Sequence, residues 1–135
     1  MKKQFLSVIV SALCLSPLVA HSANGKTTVE YAKFTLKEGV TETQVIATSQ
    51  KFQEDFLVKQ SGYIKRDLLR LEGRDWVDIV YWASKEDAEK VLKACEKSPI
   101  CGDYFSIMEP FDPKISNGGV IHLELVKSYP VNGGK

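Results

Sequence analysis

The 135-residue sequence predicts an α+β domain: a ferredoxin-like βαββαβ antiparallel sheet with its helices on one face. Three observations predict it. Strand-type and helix-type runs alternate in that order along the chain. The second and third strand-type runs are joined by the short turn Glu72-Gly73-Arg74-Asp75, which is typical of a hairpin. Both helical runs begin with capping residues. The handedness of crossover connections favours this arrangement over others.

The first half of the domain is predicted to form a strand, a helix and a second strand. Residues 27–37 are rich in β-branched and aromatic types and end at Gly39, as a strand does. Residues 41–44, Thr-Glu-Thr-Gln, are typical of a capping box at a helix start. Residues 63–71 are the second strand, after a stop at Ser61-Gly62. Val45, Ser49, Phe52 and Phe56 recur at helical spacing and form a mainly apolar stripe, widened by Ile46 and Leu57.

The second half is predicted to form a strand, a helix, a loop and a last strand. Residues 76–82 alternate cleanly, with Val77, Ile79 and Tyr81 on one face and Trp76, Asp78, Val80 and Trp82 on the other. Ser84 is the expected N-cap of the second helix, which ends at Ser98-Pro99. We expect one further helical turn at 104–108, a loop at 109–119 and a strand at 120–129. The second helix buries Ala88, Val91, Leu92 and Cys95.

Residues 1–22 are expected to be a signal peptide. Lys2 and Lys3 precede an apolar run, and the small residues Ala20 and Ser22 stand three and one positions before a cleavage site at Ala23. The mature chain would then be one domain, residues 23–135 with a core at about 27–129. It is expected in the periplasm or secreted, with no membrane contact after cleavage.

Two other readings of the leader are less favoured. A membrane anchor needs about 20 apolar residues, and this run is shorter and is broken by Pro17. A lipidated Cys14 would follow small residues, whereas Leu13 is large.

Charge and cysteine content bound the partners of the mature chain. Removing the leader takes two basic residues and no acidic ones, which changes the formal net charge from +1 to −1. A nearly neutral chain has no electrostatic reason to bind nucleic acid or an anionic membrane.

Cys95 and Cys101 are predicted to form a disulfide in an oxidising compartment. A redox pair or metal ligands are the alternatives, but the spacing is not C-x-x-C and no second pair exists, so no metal site is predicted.

Both faces of the predicted sheet carry apolar side chains. The first strand presents Phe34 on one face and Tyr31 on the other, and the third strand is apolar on both sides of its alternation. A sheet with two apolar faces needs a second cover. Another copy of the chain, related by a two-fold axis, is the simplest one. The sequence therefore predicts a homodimer with facing sheets and a pocket between them.

Three segments carry a resemblance to a known family. They are Leu36-Lys37-Glu38-Gly39-Val40 at the end of strand one, Gln60-Ser61-Gly62-Tyr63-Ile64 at the entry to strand two, and Asp78-Ile79-Val80-Tyr81-Trp82-Ala83-Ser84 followed by Glu86-Asp87-Ala88. With these, the run from Val29 to Tyr129 resembles the antibiotic-biosynthesis-monooxygenase-like (ABM) family, within the dimeric α/β-barrel superfamily. The resemblance is specific for fold and weak for function, because many activities share this scaffold.

The resemblance implies cofactor-free oxygenation of a small aromatic or quinol-type molecule, or oxidative haem breakdown. In the haem-degrading branch an Asn, a Trp and a His carry the site. Trp82 matches the Trp, but Ala32 falls at about the Asn position and no His occurs between Ile100 and Gly119. The resemblance therefore favours a monooxygenase without a bound cofactor. The alternative is a non-catalytic module that binds a small apolar ligand or serves to dimerise.

Two residues are candidates for proton transfer. His122 is the only His left after cleavage and shares a strand face with Glu124, so we expect it to look into the pocket between the sheets. Its alternative role is a strand His hydrogen-bonded to a carboxylate. Asp78 lies in an apolar strand and is either a base with a raised pKa or a structural partner of Arg66 or Arg70.

Four further residues are candidates for ligand binding: Trp82, Trp76, Phe34 and Glu124. The two Trp rings could stack on a flat ligand. Large aromatic residues are more often part of a core or an interface, and that reading stays open for both Trp residues and for Phe34. The sequence contains no Gly-rich phosphate loop, Ser-His-Asp set or nucleotide fingerprint.

Overall fold

The computed structural model describes residues 25–112, 114 and 119–130. The expected leader, residues 1–22, lies outside the described residues. The elements are β1 (Thr28–Thr35), α1 (Glu42–Asp55), β2 (Tyr63–Arg70), β3 (Asp75–Trp82), α2 (Lys85–Cys95), α3 (Pro99–Ser106) and β4 (Val120–Glu124), with a 3-10 turn at Leu57–Lys59. The sheet order is β2-β3-β1-β4, and every neighbouring pair is antiparallel. This confirms the ferredoxin-like fold. Among the described residues, no helix has the length and apolarity that crossing a membrane requires.

Helix α1 begins as the sequence predicts. The Thr41 hydroxyl accepts a hydrogen bond from the Gln44 backbone N–H at 3.3 Å, and the Gln44 side-chain oxygen accepts one from the Thr41 N–H at 2.8 Å. This capping box satisfies two amides that the first turn leaves unpaired. Val45 and Phe52 are buried as expected. The prediction for Ile46 was wrong: its side chain is 52% exposed, on the outer surface of the helix.

Helix α3 is longer than the sequence predicted. The sequence predicts that Ser98-Pro99 ends the second helix, but in the structure it starts a third one. The Ser98 hydroxyl accepts the Cys101 N–H at 3.4 Å and Pro99 occupies the first helical turn, where its missing N–H costs nothing. The single turn expected at 104–108 is therefore the end of an eight-residue helix over Pro99–Ser106. The Cys95–Cys101 disulfide is confirmed and ties the end of α2 to α3.

The helices cover one face of the sheet, and burial and strand pairing show which residues lie on that face. Trp76, Asp78, Val80 and Trp82 of β3 are all buried. On β1 they pair with Phe34, Ala32, Glu30 and Thr28, so these residues share the covered face. The opposite face of the sheet is open in the single chain. It carries Val29, Tyr31, Val77, Ile79, Tyr81, Ile121 and Leu123, the last two about half exposed.

Strand β4 is shorter than predicted. It spans Val120–Glu124 rather than residues 120–129, although Leu125 still donates a backbone hydrogen bond to Thr27 at 2.9 Å. Residues 125–130 have no regular structure. The predicted loop over 109–119 lies partly outside the described residues, because residues 113 and 115–118 are not described.

Candidate functional site

A cavity of about 580 Å³ lies between the covered face of the sheet and the helices. Its walls are mainly apolar and include Phe34, Phe52, Val80, Val91, Phe105 and Met108. The pocket that the sequence predicts lies between the sheets of two copies and stays a prediction, because the structure contains one chain. The cavity is instead an internal feature of one chain, formed where the sheet and helices do not fill the space between them. Its volume suits a small organic ligand.

One buried acid faces this cavity with a titratable partner. Glu30 on β1 is 9% exposed and lines the cavity wall. Its Oε2 lies 3.0 Å from Nε2 of His122 on β4, at the register position where the two strands pair. Burial raises the pKa of Glu30, because a carboxylate loses its hydration there, and the hydrogen bond from His122 partly opposes that shift.

A second buried acid in the cavity is fully engaged. Asp78 receives Nε of Arg66 on Oδ1 at 2.6 Å and Nη2 of Arg66 on Oδ2 at 2.8 Å. The Tyr104 hydroxyl donates to Oδ2 of Asp78 at 2.8 Å and accepts from Arg66 Nη2 at 2.8 Å. Arg66 also donates to the Ser49 carbonyl at 3.1 Å. The alternative in which Asp78 pairs across the hairpin with Arg66 is the one the structure contains.

Aromatic rings pack around this ion pair. The Tyr104 ring stacks on Phe52 with centroids 4.7 Å apart, and the Arg66 guanidinium lies 5.1 Å from each ring centroid. Burial raises the pKa of Tyr104, and the neighbouring Asp78 charge raises it further, so its hydroxyl stays protonated as a donor. Asp78 thus accepts two hydrogen bonds from the Arg66 guanidinium and one from the Tyr104 hydroxyl, an arrangement typical of a structural ion pair in the wall of the cavity.

The side chain of His122 lies on a different face of the sheet from the one predicted. Its phase along the strand was right, but that face is the one covered by helices rather than the open one. The ring lies at a second recess, beside the N-terminus of α2, which is also lined by Lys26, Glu86 and Glu124. Glu124 is exposed there and pairs with Lys26 at 2.7 Å. The His122–Glu30 pair therefore lies between the cavity and the protein surface.

The aromatic candidates divide into two groups. Phe34 is buried and lines the cavity. Trp82 is fully buried, and its ring packs edge-on against that of Tyr63 with centroids 5.8 Å apart. Neither Trp82 nor Trp76 is among the described residues that line the cavity. The indole N–H of Trp82 has no hydrogen-bond partner among the described residues. Both Trp side chains act as core, the alternative that the sequence left open.

Sequence reasoning missed Glu30 and Tyr104 as residues of the site. A signal for Glu30 was present, because it has the same strand parity as Ala32 and Phe34 and must share their face. Tyr104 gave no such signal, since its partners Asp78 and Arg66 are distant in sequence. Within residues 25–112, 114 and 119–130, no group of three or more His, Cys, Asp and Glu side chains is arranged to hold a metal ion.

Comparison with known proteins finds similar structures. SnoaB, a cofactor-independent oxygenase from Streptomyces nogalater, matches with a TM-score of 0.56 at 13% identity, over 81% of this chain and 100% of that one. A protein proposed to be an antibiotic biosynthesis monooxygenase, from Chloroflexus aurantiacus, gives 0.52 at 12% identity, over 77% and 97%. A haem-degrading protein from Mycobacterium tuberculosis gives 0.51 at 13%, over 80% and 100%. No family model and no curated protein sequence matches this chain.

These likenesses confirm, at the level of the fold, the resemblance to ABM-like proteins. They extend over nearly the whole length of each similar chain. At such low identity they carry the architecture and not the activity, because one scaffold hosts many functions. What this chain does must therefore be argued from its own cavity.

Proposed function

We propose that this protein is an exported enzyme of the cofactor-independent monooxygenase type, which takes a small aromatic or quinol-type substrate. The observation that carries the proposal is the cavity between sheet and helices. It has aromatic side chains on its walls and a buried carboxyl group, Glu30, whose pKa is raised by burial. Planar apolar walls hold a ring and exclude water, and a carboxyl group can accept a proton from it. The shared fold with a cofactor-independent oxygenase supports the reaction class.

The proposed reaction balances without an added reductant. A hydroquinone that loses a proton becomes electron-rich enough to react with dioxygen. One oxygen atom enters the ring and the other leaves as water, and the substrate supplies all four electrons and becomes a hydroxylated quinone. The protein's task is to bind the ring and remove the proton. Asp78 is engaged by Arg66 and Tyr104, so we assign the proton-accepting site to the Glu30–His122 pair.

We also propose a homodimer that forms through the open face of the sheet. Ile121 and Leu123 are 51% and 50% exposed on this face, beside the half-buried Tyr31 and Ile79. Apolar side chains on one contiguous sheet surface favour a protein cover, and a two-fold axis supplies one. In this proposal the partner chain packs on the open face of the sheet, opposite the cavity, and each chain keeps its own cavity. The periplasmic or secreted location belongs to the same proposal and rests on the leader and the disulfide.

Oxygen uptake tests the proposed activity. The probe is 1,4-dihydroxynaphthalene, measured with an oxygen electrode in metal-free buffer and corrected for its spontaneous oxidation. The test variant is Gly102→Phe, because Gly102 lines the cavity in α3 and a Cβ atom added there meets no other atom within 4 Å. We expect wild-type protein to accelerate oxygen uptake and the Phe variant to lose most of that acceleration. Equal rates with both proteins would overturn the proposed activity.

A second function is favoured by one specific observation. Asp78, Arg66 and Tyr104 satisfy one another's hydrogen bonds, which is typical of a structural network and requires no substrate. The protein could on this ground be a non-catalytic module that binds a small apolar ligand in the periplasm. Replacing His122 by Ala separates the two functions. Loss of oxygen uptake with binding of naphthalene retained supports the enzyme, and no change in either supports the module.

A further inference from the structure

Glu30 differs from the other buried acid of the sheet in how its charge is balanced. Asp78 is compensated by Arg66, which stays protonated at every relevant pH. Glu30 is paired instead with His122, whose Nε2 lies 3.0 Å from Oε2 of Glu30 and whose side chain is 16% exposed. An imidazole is a titratable partner, unlike the guanidinium of Arg66. Both Glu30 and Asp78 line the cavity, but the Asp78 oxygens already accept hydrogen bonds from Arg66 and Tyr104.

The geometry leaves one Glu30 oxygen for a ligand. The hydrogen bond from His122 uses Oε2, and Oε1 is the second acceptor of the same carboxylate. His122 is held by the antiparallel pairing of β1 and β4, in which Glu30 and His122 are direct cross-strand partners. Because both side chains leave rigid strands, the orientation of the carboxylate is fixed before any ligand arrives.

We propose that Glu30 is the hydrogen-bond acceptor that selects hydroxylated aromatic ligands, phenols and hydroquinones, within the cavity, with His122 as the positioning residue. This inference rests on the proposed function, since it requires the cavity to bind an aromatic ring. The ring packs against the apolar wall that includes Phe34 and Phe52, and its hydroxyl donates to Oε1 of Glu30. An aromatic molecule without a donor leaves Oε1 of that carboxylate desolvated and without a hydrogen bond, so it binds more weakly.

The test compares two probes that differ by one hydroxyl group, 2-naphthol and naphthalene, titrated into the full mature protein by fluorescence. We expect wild-type protein to bind 2-naphthol at least about tenfold more tightly, the gain typical of a hydrogen bond to an ionised acceptor. Glu30→Gln should reduce this preference about fivefold, and Glu30→Leu should abolish it, with naphthalene affinity kept. Glu54→Gln, an exposed acid on α1, is the matched control and should keep the full preference.

The role of His122 has its own readout. His122→Gln retains an N–H donor on the same strand and should keep most of the preference for 2-naphthol, whereas His122→Leu should lose it. A residue that served only to pack the strand would give the reverse order, because Leu fills buried space better than Gln does. Rescue by Leu and not by Gln would therefore overturn the positioning role.

Each outcome separates this inference from the proposed function. Equal affinity for both probes in wild-type protein overturns the role of Glu30 and leaves the cavity as an aromatic site. Failure of both probes to bind overturns the proposed function and the inference together. If the Glu30 variants do not fold, wild-type protein is titrated with 2-methoxynaphthalene, which has the oxygen but no donor. Binding as tight as that of 2-naphthol then overturns the inference.

Discussion

At the residue scale, the sheet contains two buried acids whose surroundings assign them different roles. Asp78 lies in a closed network with Arg66 and Tyr104, so its charge is fixed and compensated. Glu30 lies beside His122 and faces the cavity, and burial raises its pKa. In the first arrangement, loss of either partner would leave the other buried without its counter-charge, whereas the second keeps a carboxyl group whose protonation can change.

Removing the charge of Asp78 should be costly. Asp78→Asn leaves the Arg66 guanidinium buried without its counter-charge, and we expect a loss of about 3–5 kcal/mol in the free energy of unfolding. The matched control is Asp67→Asn on the neighbouring strand, where the exposed Lys65–Asp67 pair should contribute about 1 kcal/mol or less. Urea unfolding measures both. Similar losses in the two variants would contradict a buried, compensated ion pair.

The raised pKa of Glu30 should make stability depend on pH. The folded protein holds the Glu30 proton more tightly than the unfolded chain does, in which the pKa of this carboxyl group is near 4.5. Stability is therefore lost as pH rises from that value through the higher folded pKa. The groups that face Glu30 are His122 from β4 and Asp78 from β3, the latter compensated by Arg66 and Tyr104.

The Glu30→Gln variant lacks this contribution to the pH dependence of stability, so comparison with wild-type protein isolates it. We expect the variant to gain stability relative to wild-type protein between about pH 4 and about pH 7, in urea unfolding at both values. Gln keeps the shape of Glu and one acceptor oxygen but cannot ionise, so the pH dependence of the change reports ionisation and not packing. A stability difference that stays constant across this range, or that moves towards wild-type protein, would contradict the raised pKa.

At the element scale, the wall of the cavity is held by a covalent link between two helices. The Cys95–Cys101 disulfide joins the last residue of α2 to the first turn of α3, and Cys95 itself lines the cavity. Tyr104 is one turn further along α3, so this bridge also fixes the helix that donates to Asp78. Ordering of α3 thus depends on its Ser98 cap, the disulfide and the buried Tyr104 together.

Breaking this link should loosen the wall. The closed loop is short, so loss of the constraint is expected to cost about 2–2.5 kcal/mol of unfolding free energy. Wild-type protein is compared in urea with and without a phosphine reductant, and the Cys95→Ser, Cys101→Ser double variant is the control. We expect the reductant to destabilise wild-type protein only, and to weaken 2-naphthol binding in parallel. An identical effect of reductant on both proteins would contradict a stabilising disulfide.

At the scale of the whole molecule, the open face of the sheet remains to be covered. Its apolar side chains on β1, β3 and β4 form one surface, and the proposed partner is a second copy. Ile121→Glu places a charge on this surface, and Ile46→Glu places the same charge on the outside of α1 at matched exposure, 51% and 52%. Neither position is buried in the single chain, so both variants should fold.

Analytical ultracentrifugation reads the assembly directly. We expect wild-type protein and Ile46→Glu to sediment as dimers, and Ile121→Glu to dissociate with an affinity at least about tenfold weaker, because a two-fold axis buries two unpaired charges. A monomeric wild-type protein, or an Ile121→Glu variant that dimerises as tightly as the control, would contradict the sheet-to-sheet dimer.

The sequence predicted the order of elements because its signals are local. The Thr41–Gln44 capping box and the alternation through Trp76–Trp82 need only neighbouring residues, and both are confirmed. The choice of the covered face is not local. Both faces are apolar, and the covered one is recognised only from long-range contacts, such as that between Asp78 and Tyr104, which lie 26 residues apart. The Glu30–His122 pair spans 92 residues, and only the sheet register brings it together.

The central claim is that the cavity between the sheet and the helices is the ligand site, with Glu30 as its polar anchor. A crystal structure of the mature protein grown with 2-naphthol tests it most directly. We expect the ring in the cavity, against Phe34 and Phe52, with its hydroxyl oxygen at about 2.5–3.0 Å from a Glu30 carboxylate oxygen. A naphthol bound on the open face of the sheet, or a cavity that stays free of the ring at saturating concentration, would contradict it.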